Sequence, residues 1–164
     1  MHIIATDDEQ SALNVLMGAI SEAVPLATVH GFRNPLEALE LMKETKCEIA
    51  FLDIQMREMS GIVLARKLKE IYPKVNIVFV TGYSQYANEA FALHASGYVY
   101  KPVTPDKILI EMENLRNPVK WKDTGIFVNT FGNFELIVNG EEVSFGRAKS
   151  KEMLAYLVDK QGKA

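Results

Sequence analysis

The chain has 164 residues, 48% hydrophobic and 24% charged, which is ordinary for a folded globular protein with a sizeable core and excludes a chain disordered by composition. Its net charge is −3, unevenly placed: residues 1–117 carry 11 Lys and Arg against 15 Asp and Glu, and residues 118–164 carry 7 against 6. The acidic first part argues against nucleic-acid contact there, while the weakly basic remainder permits it without demanding it.

Short β-type runs at His2–Ala5, Ala27–Gly31, Glu48–Leu52, Asn76–Val80 and Gly97–Tyr100 alternate with stretches of helical periodicity. Ala12, Leu13, Leu16, Ile20 and Val24 follow helical spacing, as do Leu36, Leu39 and Met42, then Val63, Leu64, Leu68 and Ile71, and then Ala87, Ala90, Phe91 and His94. Asn34-Pro35 reads as a cap followed by proline at the first helical position, and Thr104-Pro105 repeats that signal before Asp106–Asn117. Five strand–helix pairs imply βαβ units, so the expected fold is α/β with a five-stranded, doubly wound parallel sheet over residues 1–117.

After Asn117-Pro118 the pattern changes. Residues 118–123 read as a linker, followed by β-type runs at Ile126–Thr130, Phe134–Val138 and Val143–Phe145. Asn139-Gly140 is a strong hairpin signal between the last two runs. A helical stretch carrying Met153, Leu154, Leu157 and Val158 follows. A partial β-meander with one helix is little to bury a core alone, so residues 124–164 read as an incomplete domain.

No apolar run approaches the ~18 residues that a membrane span requires. Asp7, Asp8 and Glu9 replace the basic start of a signal peptide, and the cytoplasm is the expected location. Cys47 is the single cysteine and reads as a small buried hydrophobe. His30 and His94 are assigned to no metal, and Met17, Met42, Met56 and Met112 to the core.

The chemistry gathers where the strands end. In an open parallel sheet, ligands bind outside the carboxyl ends of the strands, near the point where strand order reverses. Asp7-Asp8 ends the first run, Asp53 the third, Thr81 the fourth and Lys101 the fifth. Three neighbouring carboxylates repel one another unless a cation intervenes, and Mg²⁺ takes one or two carboxylates plus other oxygens. One aspartate can then attack phosphorus, with Lys101 and Thr81 binding the oxygens of the transferred group. Taken singly, Asp7-Asp8 could merely cap the next helix and Thr81 could be a structural hydroxyl.

Together these pieces resemble the receiver domain of two-component response regulators, a flavodoxin-like fold. The matching residues are Asp7-Asp8, Asp53 in Phe51-Leu52-Asp53-Ile54, Gly61, Thr81-Gly82, and Gly97-Tyr98-Val99-Tyr100-Lys101-Pro102. The resemblance implies that Asp53 accepts a phosphoryl group from a sensor histidine kinase. It implies Mg²⁺ held by Asp53, by Asp8 directly, by Asp7 through water and by the Gln55 backbone carbonyl. Lys101 would pair with the phosphoryl group, its bond to Pro102 would be cis, and Thr81 and Tyr98 would move together as a switch. Gln55 and Tyr83 fall at positions where family members tune phosphoryl lifetime. Homodimerisation through the fourth helix, fifth strand and fifth helix is the partnership implied, with no membrane.

The run from Thr130 through Asn139-Gly140 to Arg147–Leu157 resembles the opening of a winged-helix DNA-binding domain of the OmpR and antibiotic-activator (SARP) type. Promoter DNA is therefore expected as a partner of a full-length protein only, because the recognition helix is absent from this sequence; Lys149 and Lys151 read as a solvated helix face. Three other readings fit the residues less well. Hydrolases of the haloacid dehalogenase type share the strand-end aspartate but generally need a second acid where this chain has Gln55. A receiver that only dimerises, without phosphorylation, usually lacks an acid or the lysine, and here all are present. A dinucleotide-binding domain would need a Gly-x-Gly-x-x-Gly after the first strand, which is missing. The expected role is thus a switch that modifies itself, not a turnover enzyme.

Overall fold

The computed structural model describes residues 1–83, 85–120, 126–129, 135–138, 141–145, 149 and 152. Two compact units divide between Val119 and Lys120. In the first unit, β1 (His2–Thr6), α1 (Gln10–Ala23), β2 (Thr28–Phe32), α2 (Pro35–Glu44), β3 (Ile49–Asp53), α3 (Gly61–Ile71), β4 (Asn76–Thr81), α4 (Ala87–Ala92), β5 (Gly97–Tyr100) and α5 (Pro105–Glu113) follow in strict alternation. The five strands are parallel in the order β2-β1-β3-β4-β5. The doubly wound α/β expectation is correct.

Burial explains why the middle strands carry continuous apolar runs. Every residue of β3 and β4 is buried, as befits strands covered on both faces. α1 packs against α5 and α2 against α3, while Ala90 of α4 joins the cluster that holds Ala38, Leu64, Leu68 and Phe79. Asn34 accepts from the Leu36 amide at 2.9 Å with Pro35 behind it, and Thr104 accepts from the Lys107 amide with Pro105 behind it. Both expected caps form. Cys47 is fully buried, and burial lifts its thiol to about 11, which keeps it protonated and inert.

Some side chains in the expected apolar stripes turn outward. Leu36 and Val63 are exposed, and Phe91 on α4 is 84% exposed. α4 has only six residues, too few for periodicity to fix which side faces the sheet.

Gly61 sets the distance between α3 and the end of β3. Its amide donates to the Ile54 carbonyl at 2.9 Å, and a Cβ placed on it would lie 2.0 Å from the Asp53 carbonyl oxygen. The helix thus starts directly on the backbone of the aspartate.

In the second unit, β6 (Ile126–Asn129), β7 (Glu135–Val138) and β8 (Glu141–Glu142) form an antiparallel meander. The third strand was expected at Val143–Phe145. Instead Glu141 stands opposite Val138 and Glu142 opposite Ile137, so pairing begins two residues earlier, and the Asn139-Gly140 hairpin signal lies outside the described residues. Val143 still donates to the Leu136 carbonyl at 2.8 Å. The expected apolar face of Met153, Leu154, Leu157 and Val158 lies outside the described residues, as does Lys151. Among the described residues no helix is long and apolar enough to cross a membrane.

Gly61→Ala is expected to lower stability by about 1–3 kcal/mol, because overpacking against backbone outweighs the helix propensity that alanine gains. Denaturant unfolding checks this; a more stable variant would show that α3 is free to move.

Candidate functional site

Parallel pairing places the carboxyl ends of β1, β3, β4 and β5 along one edge of the sheet, where the apolar strand residues give way to Asp7-Asp8, Asp53, Thr81 and Lys101. Asp7, Asp53 and Thr81 are buried, at 2%, 5% and 0% exposure. Lys101 joins two of them: its Nζ is 2.7 Å from Asp7 Oδ2 and 3.0 Å from Asp53 Oδ1. Its own amide donates to the Thr81 carbonyl at 3.0 Å, which fixes the start of the β5–α5 connection, and the Lys101–Pro102 peptide is cis as the family resemblance implies.

The three carboxylates differ. Asp7 is fastened by Lys101 and by the Glu9 amide at 3.0 Å, so it orders the turn into α1 without being that helix's N-cap. Asp53 has a pKa above the usual carboxylate range: burial pushes it up, Lys101 pulls it down, and Asp7 pushes it up again. Lys101 stays above its ordinary value, since burial lowers it but its bonds to Asp7 and Asp53 more than compensate. Asp8 stands apart from that cluster. Its Oδ2 is 3.3 Å from Arg57 Nε, and its backbone carbonyl accepts from Arg33 Nε at 3.2 Å.

Among the described residues, no three His, Cys, Asp or Glu side chains stand together as a ready metal cage. Lys101 lies between Asp7 and Asp53, and Asp8 faces Arg57. The donor set nevertheless suits a hard divalent ion that keeps several waters. Such an ion needs one or two direct carboxylates, and Asp8 and Asp53 supply oxygen donors at neighbouring strand ends.

Tyr83 is a junction that the sequence did not reveal as such. Its amide donates to Thr81 Oγ1 at 3.3 Å, and its carbonyl accepts from the Tyr98 hydroxyl. The two expected switch residues, Thr81 and Tyr98, are therefore tied to one peptide segment. Tyr98 is half-buried, its ring tilted against Tyr100. Gln55 Nε2 donates to Tyr86 Oη at 3.1 Å, linking the loop after Asp53 to the start of α4. The family resemblance alone places Tyr83 at the site, and Tyr86 and Arg57 carry no strand-end signal, so only the folded turns bring those two to the site.

The fold, with its polar groups gathered at the strand ends, is that of a regulatory domain class that comparison with known proteins identifies. The response regulator receiver domain profile matches residues 3–113. The chain is 36% identical over 108 residues to the sensory transduction protein LytT of Enterococcus faecalis, covering 66% of this chain and 45% of that protein. It is 30% identical over 115 residues to the transcriptional regulatory protein YpdB of Escherichia coli, covering 70% and 47%. It shares its fold with the response regulator DrrB, an OmpR/PhoB homologue of Thermotoga maritima, at a TM-score of 0.59 and 22% identity over 99% of this chain and 74% of that one. The chain belongs to the response regulator receiver family. It spans about half the length of the curated relatives it matches.

The raised pKa of Asp53 has a thermodynamic consequence in the absence of divalent cations. The folded state holds this proton more tightly than the unfolded chain, so stability falls as pH rises from the ordinary aspartate range through the folded pKa. Asp53→Asn removes that loss. In EDTA the variant should melt with wild type at acid pH and a few degrees above it at neutral pH; a variant that melts lower at neutral pH would contradict the assignment of burial as the larger effect.

Proposed function

We propose that this protein is the phosphoacceptor of a two-component relay, taking a phosphoryl group onto Asp53 from a sensor histidine kinase and passing the change to a transcriptional output. The observation that carries this reading is the pairing of one half-buried ammonium, Lys101, with both of the buried carboxylates Asp7 and Asp53. Phosphoryl transfer asks mainly for positioning and charge neutralisation, and this arrangement supplies both.

An Asp53 carboxylate oxygen bonds to phosphorus as the N–P bond of the donor phosphohistidine breaks, and the leaving imidazole recovers a proton from solvent. Lys101, already 3.0 Å from Asp53, balances the charge that arrives on the phosphoryl oxygens. A bound Mg²⁺, held by Asp8, Asp53 and the Gln55 carbonyl with Asp7 through water, would add charge neutralisation for the attacking and transferred oxygens. Asp7 keeps Lys101 in place through its 2.7 Å contact. The protein acts once per phosphoryl group received, as a switch and not a turnover enzyme.

The output route follows from Tyr83. When the Thr81 hydroxyl turns to a phosphoryl oxygen it gives up the Tyr83 amide, and Tyr98 is bonded to the same residue's carbonyl. Both bonds favour one of two existing arrangements, and phosphorylation biases the other. The change emerges on the α4–β5–α5 face, where Phe91, Tyr100 and Ile110 are exposed apolar groups suited to a second copy of the chain. The β6–β8 meander is the proposed start of a winged-helix output domain, a reading favoured by the fold likeness to the OmpR/PhoB homologue over 99% of this chain. The name of YpdB favours a transcriptional output without specifying its fold.

Incubation with a small acyl phosphate and Mg²⁺ should add the mass of one phosphoryl group to the intact chain. Asp53→Asn should take up none, and Lys101→Ala should be slowed by about 10²-fold or more, the usual loss when a charge-stabilising donor is removed. Intact-mass spectrometry reads all three; a stable adduct on Asp53→Asn would remove the acceptor assignment.

A further inference from the structure

Asp8 and Arg57 line one open cleft of about 570 Å³ beside the acidic strand ends, together with Gln55, Arg66, Tyr86 and Glu89. Two of the three crevice carboxylates converge on Lys101, while Asp8 Oδ2 is matched instead by Arg57 Nε at 3.3 Å. The two partners are very unequal in freedom: the Arg57 side chain is 92% exposed and that of Asp8 25%. Arg57 is thus a loop arm laid over a carboxylate that is largely fixed.

We propose that Arg57 is a built-in competitor for the divalent cation: it occupies Asp8 when the crevice holds no metal and must swing aside for the cation to bind. The inference rests on the Mg²⁺ reading given above and adds to it a residue that sets the affinity. A guanidinium is always charged, so Arg57 cannot leave by losing a proton and is displaced only by rotation. Its exposure makes that rotation easy, and exposed ion pairs are weak. The competition therefore lowers cation affinity by a small factor and leaves binding possible. Arg66 shares the cleft and the charge but does not pair with Asp8, so it separates a specific contact from the general field of the cleft.

The test uses the whole chain and Mn²⁺ alone as probe, with free ion followed by electron paramagnetic resonance and Mg²⁺ measured by calorimetry. Thermal melting in EDTA checks that each variant is folded. Arg57→Ala should bind about threefold more tightly than wild type, the scale of an exposed pair, with the gain shrinking as salt is raised. Arg66→Ala should gain distinctly less. Equal affinities for wild type and Arg57→Ala, or an equal gain from Arg66→Ala, would overturn the proposal while leaving the cation site standing. Asp8→Asn should weaken binding in every background; wild type that binds no Mn²⁺, or binds it indifferently to Asp8→Asn, would remove the Mg²⁺ reading and this inference with it.

Discussion

The ammonium of Lys101 stands 2.7 Å from Asp7 and 3.0 Å from Asp53, at the ends of three strands that are separated in sequence by nearly the length of the domain. Two carboxylates buried side by side would each raise the other's pKa, and without a cation between them the edge of the sheet would carry a standing cost. The parallel sheet order β2-β1-β3-β4-β5 makes the arrangement possible, since it sets β1 and β3 adjacent and brings β5 beside β4. The rest of the site follows: Asp53 is positioned but costly to ionise, the lysine is held in its charged form, and Asp8 stands outside that pairing, opposite Arg57.

Much of this was legible in the sequence because a strand end declares itself. An apolar run that stops at an acid, a hydroxyl or an amine marks the place where backbone leaves the covered sheet, and Asp53, Thr81 and Lys101 all fall at such breaks. Gly61 was noticed only by its spacing, and its physical reason is the Asp53 carbonyl oxygen against which a side chain could not fit. Strand limits slipped by a residue where pairing decides them. β2 begins at Thr28, one residue later than its composition suggested, because Thr28 pairs with His2 and donates to the Met1 carbonyl.

What sequence did not show is loop partnership. Arg57 meeting Asp8, Gln55 meeting Tyr86, and Tyr83 serving both Thr81 and Tyr98 depend on turns that juxtapose residues with no shared periodicity. Periodicity also fails over short spans: Phe91 fits a helical stripe yet faces outward from a six-residue helix. The same lesson holds in the second unit, where pairing with Ile137 and Val138 and not hydrophobicity marks Glu141–Glu142 as the third strand. Fold and strand-end residues were thus legible along single elements, and the contacts between loops were not.

The account stands on Lys101 offsetting a buried Asp53. A carbon-13 titration of the Asp53 carboxyl in metal-free protein, wild type and Lys101→Met, measures that balance directly. The account predicts a midpoint above the ordinary aspartate range in wild type and higher still once the ammonium is gone. A midpoint at the ordinary value that ignores the loss of Lys101 would contradict it.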